Sequence, residues 1–212
     1  MNNYNYVVTL GASAGGLESL KAFFSNLHTT YDESYIVIQH ALRSHKSLLV
    51  KILSRITPVE LVEIEDGMNF MGNKIYICPP SHSVTLEKGK LKLIKRQDEE
   101  IMNFTVNESF KALSQEVKDK MVGIVMSGTG SDGAKGCTEI EKNGGVVLVQ
   151  DPGTAIFESM PLKSIIYDHP DYVLAPEKMP KLIQRIVVGS ENKDKRRIIK
   201  LDLNSEHNTK AK

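Results

Sequence analysis

Cysteine is scarce in this chain, with only Cys78 and Cys137 among 212 residues. Two thiols cannot supply the disulfide framework of a small secreted domain. Both sit in ordinary apolar or small-residue segments and are expected as reduced thiols of a cytoplasmic protein. Neither sign of charge is in excess: 27 basic side chains face 26 acidic ones, for a formal net charge of +1. That balance lacks the electrostatic footprint of a nucleic-acid or anionic-membrane binder, so no nucleic-acid partner is expected. No apolar run approaches the about 20 residues of a membrane span. Met1 to Asn5 lack the basic and apolar regions of a signal peptide. Solenoid-type repeats are missing. So are metal-ligand spacings of His, Cys and carboxylate and the Gly-Lys-Ser/Thr ending of a P-loop; no metal and no cofactor is expected.

What the chain does have is length enough to remove roughly 70% of its unfolded surface from water, and a chemically loaded first loop. Residues 6–10 are a short β-branched apolar run. It stops at Gly11-Ala12-Ser13-Ala14-Gly15-Gly16, and apolar positions at helical spacing follow at Leu17, Leu20, Phe23, Phe24 and Leu27. Strand, tight Gly-x-Ser-x-Gly turn and helix form the context of a nucleophile elbow, which leaves a serine exposed beside unpaired N–H groups of a helix N-terminus. The same letters also suit a purely structural turn or a degenerate phosphate-binding turn. A dinucleotide site would carry an acidic residue at the end of the second strand. The strand at 35–38 ends instead in Gln39-His40, which weakens the nucleotide alternative and offers the serine a base.

Further on, a helix is expected from Ser44 through Ile56, short strands at 59–64 and 74–78, and a β-hairpin of 83–87 and 91–95 whose lysines mark a solvated edge. Residues 97–103 form a loop, and Thr105-Val106-Asn107-Glu108 fits a capping box opening a helix through Val117. Residues 121–126 are a fully buried strand by composition and run into Ser127-Gly128-Thr129-Gly130-Ser131-Asp132-Gly133. A small-residue helix to Lys142, a buried strand at 145–150, a helical segment near 160–166, a strand at 172–174 and a helix at 176–188 complete the folded part. The expected fold is α/β over residues 1–188: a doubly wound, mostly parallel sheet with helices on both faces and a small β-hairpin. Residues 189–212 lose apolar periodicity and are expected as a polar C-terminal tail or linker.

In such sheets functional groups gather beyond the carboxyl ends of the strands, and three strands end in Ser13, His40 and Asp132. A serine hydroxyl becomes a nucleophile when a base takes its proton as it attacks. Imidazole accepts and returns a proton near neutral pH, and a buried carboxylate on its other nitrogen fixes the tautomer. The chain order Ser, His, Asp is no obstacle, since geometry defines such a triad. Asp132 equally suits an N-cap of the helix after it, with any oxygen spent on the cap lost to the imidazole. The loop around it also offers a phosphate cradle. His28, His45, His82, His169 and His207 fall at turns, a helix start or the tail, and are expected as surface or capping residues.

The 11–16 loop, Gln39-His40, Glu65-Asp66-Gly67, the 127–133 loop, Gln150-Asp151-Pro152 and Met160-Pro161 together resemble the catalytic domain of the CheB family, the chemotaxis protein-glutamate methylesterases. The likeness runs from about residue 7 to residue 186. Ser44-His45-Lys46-Ser47-Leu48-Leu49 and the 127–133 loop are most similar to the variant fused to a receptor methyltransferase. The resemblance implies Ser13 as nucleophile, His40 as general base and Asp132 as its orienter. It implies hydrolysis of glutamate methyl esters on the cytoplasmic helices of methyl-accepting chemoreceptors, with glutamine deamidation as a companion activity. A receptor methyltransferase or other signalling module is an expected partner. The backbone N–H groups of Ala14 and Thr129 are the oxyanion donors expected by position. A non-catalytic sensory or scaffolding module of the same fold is the alternative. Family members usually carry Pro-Ser-Val/Ile-Asp where this chain has Phe104-Thr105-Val106-Asn107. Thr105 replaces the capping serine, Asn107 removes a carboxylate and Phe104 a proline, which bears on substrate positioning. With five residues before the first strand, the receiver domain that precedes many members is expected to be missing, and with it regulation by its phosphorylation.

Overall fold

A computed structural model describes residues 6–27, 33–40, 48–96 and 103–189. The helix start expected at Ser44, most of the 97–103 loop, His28, His45, His207 and nearly all of the tail lie outside them. The strands are β1 Tyr6–Ala12, β2 Glu33–Gln39, β3 Leu61–Glu63, β4 Ile75–Ile77, β5 His82–Glu87, β6 Lys90–Lys95, β7 Met121–Val125, β8 Val146–Gln150 and β9 Tyr172–Leu174. The α-helices are α1 Gly16–Phe24, α2 Leu49–Leu53, α3 Thr105–Val117, α4 Ala134–Lys142, α5 Ser159–Asp168 and α6 Met179–Val187.

One sheet runs in the order β3-β4-β2-β1-β7-β8-β9 and is parallel at every pairing. Strands covered on both faces need apolar side chains at successive positions, and period two divides those side chains between two cores. Val8, Leu10 and Ala12 of β1, Tyr35 and Val37 of β2, Val122 and Ile124 of β7, and Val146 and Leu148 of β8 pack with α1, α2 and α6. Val7, Ile36, Ile38, Met121, Val125, Val147 and Val149 pack with α3, α4 and α5. The sheet is therefore doubly wound, as expected. From β1 the chain moves to β2 on one side and later reaches β7 on the other. The carboxyl ends of these three strands thus border the switch point where open α/β sheets bind ligands.

The hairpin differs from the solvated edge expected of it. β5 and β6 pair antiparallel across Lys88 and Gly89, both at positive φ (50° and 80°), which matches strand twist in a two-residue turn. Lys88 and Lys90 are exposed, but Val84, Leu86 and Leu91 are buried in the same core as Phe110 and Leu113 of α3. The alternation that exposes the lysines necessarily supplies an apolar face, and α3 covers it.

Cys78 and Cys137 are free and buried. Burial pushes the Cys78 thiol up to about 12. It raises Cys137 well above the ordinary thiol value, and the Asp168 charge adds to the effect. Neither thiol is a nucleophile near neutral pH. Among the described residues no helix is long and apolar enough to cross a membrane.

Candidate active site

β1 and β2 stay in register to their last residues, Ala12 opposite Gln39. One more backbone bond continues the ladder, His40 N–H donating to the Ala12 carbonyl (3.0 Å). Ser13 and His40 therefore leave neighbouring strands at the same level. Ser13 N–H donates to the Ser127 carbonyl (3.0 Å), which ties the serine to the exit of β7. Gly15, the N-cap residue of α1, has φ 70°, a conformation glycine takes without steric cost. Gly128 lies against the serine: a Cβ there would overlap Met160 Sδ and approach Ser13 Cβ to 2.9 Å.

Asp132 reaches the imidazole directly, with Oδ2 2.8 Å from His40 Nε2. An ionised carboxylate only accepts, so Nε2 carries the proton and Nδ1 keeps the lone pair of the neutral ring. The ring is turned over relative to the serine-protease template, in which the carboxylate holds Nδ1. The Asp132 side chain is 3% exposed and that of His40 15%. Three backbone groups offset this burial: Val106 N–H donates to Oδ2, and Asn107 N–H and Gly133 N–H to Oδ1, each at 2.9 Å. Val106 and Asn107 open α3, whose positive end adds a favourable field for the carboxylate.

Two expectations are corrected here. Asp132 does not N-cap the helix that follows it; the cap residue of α4 is Gly133, which has no side chain to cap with. It caps α3 instead, across the fold. One oxygen, Oδ2, serves both α3 and the imidazole, which its two lone pairs allow. The capping box at 105–108 does not form either. Phe104 is the N-cap residue of α3, Glu108 N–H goes to its carbonyl (3.0 Å), and the Thr105 hydroxyl donates to Asn103 Oδ1 (2.9 Å). Asn107, whose amide replaces a carboxylate, caps α4: its Oδ1 accepts from Gly133 N–H (3.0 Å) and Gly136 N–H (2.8 Å).

Residues without a role in the sequence pattern lock the surrounding loops. Ser127 Oγ donates to the Ala14 carbonyl (2.9 Å) and accepts from Phe157 N–H (3.0 Å), while Gln150 Oε1 accepts from Ser127 N–H (2.9 Å). Met160 N–H donates to the Gly128 carbonyl, and Gly128 N–H to the Phe157 carbonyl, both at 3.0 Å. Gln150 and Met160 stood in recognisable motifs, whereas nothing set Ser127 apart from its small polar neighbours. Among the described residues the N–H groups of Ala14 and Thr129 meet no protein acceptor, and the Ser13 hydroxyl is bonded neither to His40 nor to Asp132. His82 Nδ1 contacts the Pro80 carbonyl (2.9 Å), and His169 ends α5 in the left-handed region. Ile156 and Phe157, 60% and 43% exposed, lie next to Gly15. A groove of about 220 Å³ lined by Phe104, Asn107, Ser131, Lys135, Ile166 and Tyr167 among others opens beside the Asp132 loop.

The family model described as CheB methylesterase matches residues 8–183. A Leptospira interrogans protein is 31% identical over 187 residues, covering 87% of this chain and 95% of that one. A Pyrococcus abyssi protein-glutamate methylesterase/protein-glutamine glutaminase is 30% identical over 184 residues, 85% of this chain but 50% of that one. The crystal structure of the Thermotoga maritima CheB methylesterase catalytic domain superposes with a TM-score of 0.79 at 26% identity, covering 86% of this chain and 98% of that one.

Proposed function

The chain belongs to the CheB methylesterase family, and on that premise we propose that it is a serine hydrolase. It removes methyl esters from glutamate side chains of a chemoreceptor-type protein, with deamidation of glutamines as a companion activity. The observation that carries this reading is the buried His40–Asp132 pair, 2.8 Å apart, at the level where Ser13 leaves the adjoining strand.

In the proposed course Ser13 Oγ attacks the ester carbonyl carbon, and the C=O π pair moves onto its oxygen. His40 takes the serine proton on Nδ1, while its Nε2–H stays on Asp132, whose charge stabilises the imidazolium. The N–H groups of Ala14 and Thr129 receive the oxyanion. Collapse breaks the C–O bond to the methyl ester oxygen, and His40 returns the proton so that methanol leaves. Water, giving a proton to His40, then attacks the acyl carbon; the bond to Ser13 Oγ breaks as His40 returns that proton to it, and the glutamic acid released ionises to the carboxylate. The product adds one negative charge to the substrate protein, so the output is a local electrostatic change.

The apolar surface at Ile156 and Phe157 beside the Ser13 loop fits a protein substrate better than a small free ester. The substrate segments we assign are cytoplasmic receptor helices, with the chain working in the cytoplasm. The motifs nearest the methyltransferase-fused variant point to a receptor methyltransferase as partner.

A fluorophosphonate is expected to label Ser13 and no other residue, and His40→Ala to abolish the labelling. Labelling that persists in His40→Ala would reject the mechanism. A protein with no labelling at all would be the scaffolding alternative. Gly128→Ala is expected to displace Ser13 or Met160 and to lower turnover on the order of 10²-fold. Turnover within twofold of the wild type would show that the crowding at Gly128 does not set the serine.

A further inference from the structure

Asn107 meets Asp132 and the start of α4 through two separate groups. Its N–H donates to Asp132 Oδ1 (2.9 Å), while its side-chain Oδ1 accepts from Gly133 and Gly136 at the start of α4 (3.0 and 2.8 Å). Two helices thus exchange caps. α3 lends Asn107 to the N-terminus of α4, and the loop entering α4 lends Asp132 to the N-terminus of α3. The contact is close, since a Cβ on Gly136 would come within 2.7 Å of Phe110 Cβ and 3.1 Å of Asn107 Cα. Gly133 N–H is shared between Asn107 Oδ1 and Asp132 Oδ1. Each oxygen sits about 3 Å from that one nitrogen, so the two are at most about 6 Å apart, within range for one charge to perturb another.

An amide oxygen and a carboxylate oxygen accept the same N–H groups, so capping alone does not distinguish Asn from Asp. Charge does. A second carboxylate here would oppose ionisation of Asp132 and favour the imidazolium of His40. Among the described residues, the other charged or titratable side chains borne near this rim by the packed elements include Glu65 and Asp66 after β3, His82 on β5, Glu108 on α3, Lys135 on α4, and Glu158, Lys163 and Tyr167 beside and on α5. All of these are exposed except half-buried His82, and solvent and salt screen the exposed ones. Position 107 is the uncharged group bonded within the pair's own network.

We propose that Asn107 is a positioning residue for the His40–Asp132 pair. Its exchange of caps with Asp132 fixes that carboxylate against the imidazole, and its neutrality keeps His40 available as a base at lower pH than a carboxylate at this position would allow. The proposal rests on the roles assigned above, but its test has an arm that does not need turnover. Asn107→Asp keeps both acceptor bonds and is expected to leave Tm within about 2 °C. It is expected to move the acid limb of kcat/KM upward by about one pH unit. Asn107→Ala removes the cap to α4 and is expected to lower kcat about tenfold at every pH; aspartate recovers most of that plateau. The His40 imidazole, followed by NMR and assigned by its loss in His40→Gln, should titrate about one unit higher in Asn107→Asp. A His40 titration that superposes on the wild type overturns the proposal, as does an alanine variant with wild-type kcat. A shifted titration in a protein that hydrolyses no ester would instead overturn the assigned activity and leave the role of Asn107 standing.

Discussion

Replacing Ser13 by alanine is expected to lower methanol release from a methylated receptor fragment by roughly 10⁴- to 10⁶-fold. Among the described residues, neither the thiols nor Ser127 can take over the attack. The two thiols are buried, with burial pushing Cys78 up to about 12 and Cys137 well above its ordinary value. The Ser127 hydroxyl is spent between Ala14 and Phe157. What remains is the slow attack of water, helped by the Ala14 and Thr129 N–H groups in the oxyanion role proposed for them, and a residual rate above background is therefore expected. The fold should not register the change. Ser13 is held through its backbone, by N–H to Ser127 and by its carbonyl to Gly16 N–H (2.9 Å), and alanine keeps both. The measurement is methanol release beside a thermal melt. An alanine variant that melts normally and retains more than about a hundredth of the wild-type rate would rule out the covalent route.

Asp132 is expected to behave differently, because it serves the fold and the site with the same atoms. Asp132→Asn should cost about 10⁴-fold in kcat. If the amide oxygen keeps the Asn107 and Gly133 N–H groups, its NH₂ faces two further donors, Val106 N–H and His40 Nε2–H. The imidazole must then turn or change tautomer, and the proton on Nε2 loses its acceptor. Asp132→Ala leaves the N–H groups of Val106 and Asn107 without their acceptor at the start of α3. Such groups cost about 1–3 kcal/mol each when buried, and a lost cap typically costs about 1 kcal/mol. The alanine variant should therefore be less stable by about 2–4 kcal/mol as well as inactive. His40→Ala, which removes one partner of the carboxylate and no helix cap, should be inactive yet melt close to the wild type. Denaturant titration of the three variants separates the roles. Equal stability of Asp132→Ala and wild type would mean that the cap on α3 contributes nothing.

Much of this architecture was legible in the chain. Apolar runs too short for helices, each followed by small or turn-forming residues, indicated parallel strands. The strands at 172–174 and near 146–150 fall within a residue or so of where composition puts them. Ser13 and His40 were legible for the same reason: each directly follows a strand, so strand pairing alone carries both to one rim. Helix starts were less legible. The Thr105 capping box has the right letters, but the N–H groups it would serve, those of Glu108 and Thr105, go to the Phe104 carbonyl and to Asn103 Oδ1 instead.

The sequence by itself therefore determined a doubly wound sheet and the edge of it where hydroxyl, imidazole and carboxylate collect, because side-chain period and turn chemistry are local properties of neighbouring residues. Only the tertiary structure decided that Asp132 caps α3 rather than α4, that one of its oxygens also takes the Nε2–H of His40, and that Asn107 returns the cap. Those bonds join residues 25 to 92 positions apart. Their geometry depends on how α3 and α4 meet across Gly136, and that is fixed by the whole core beneath them.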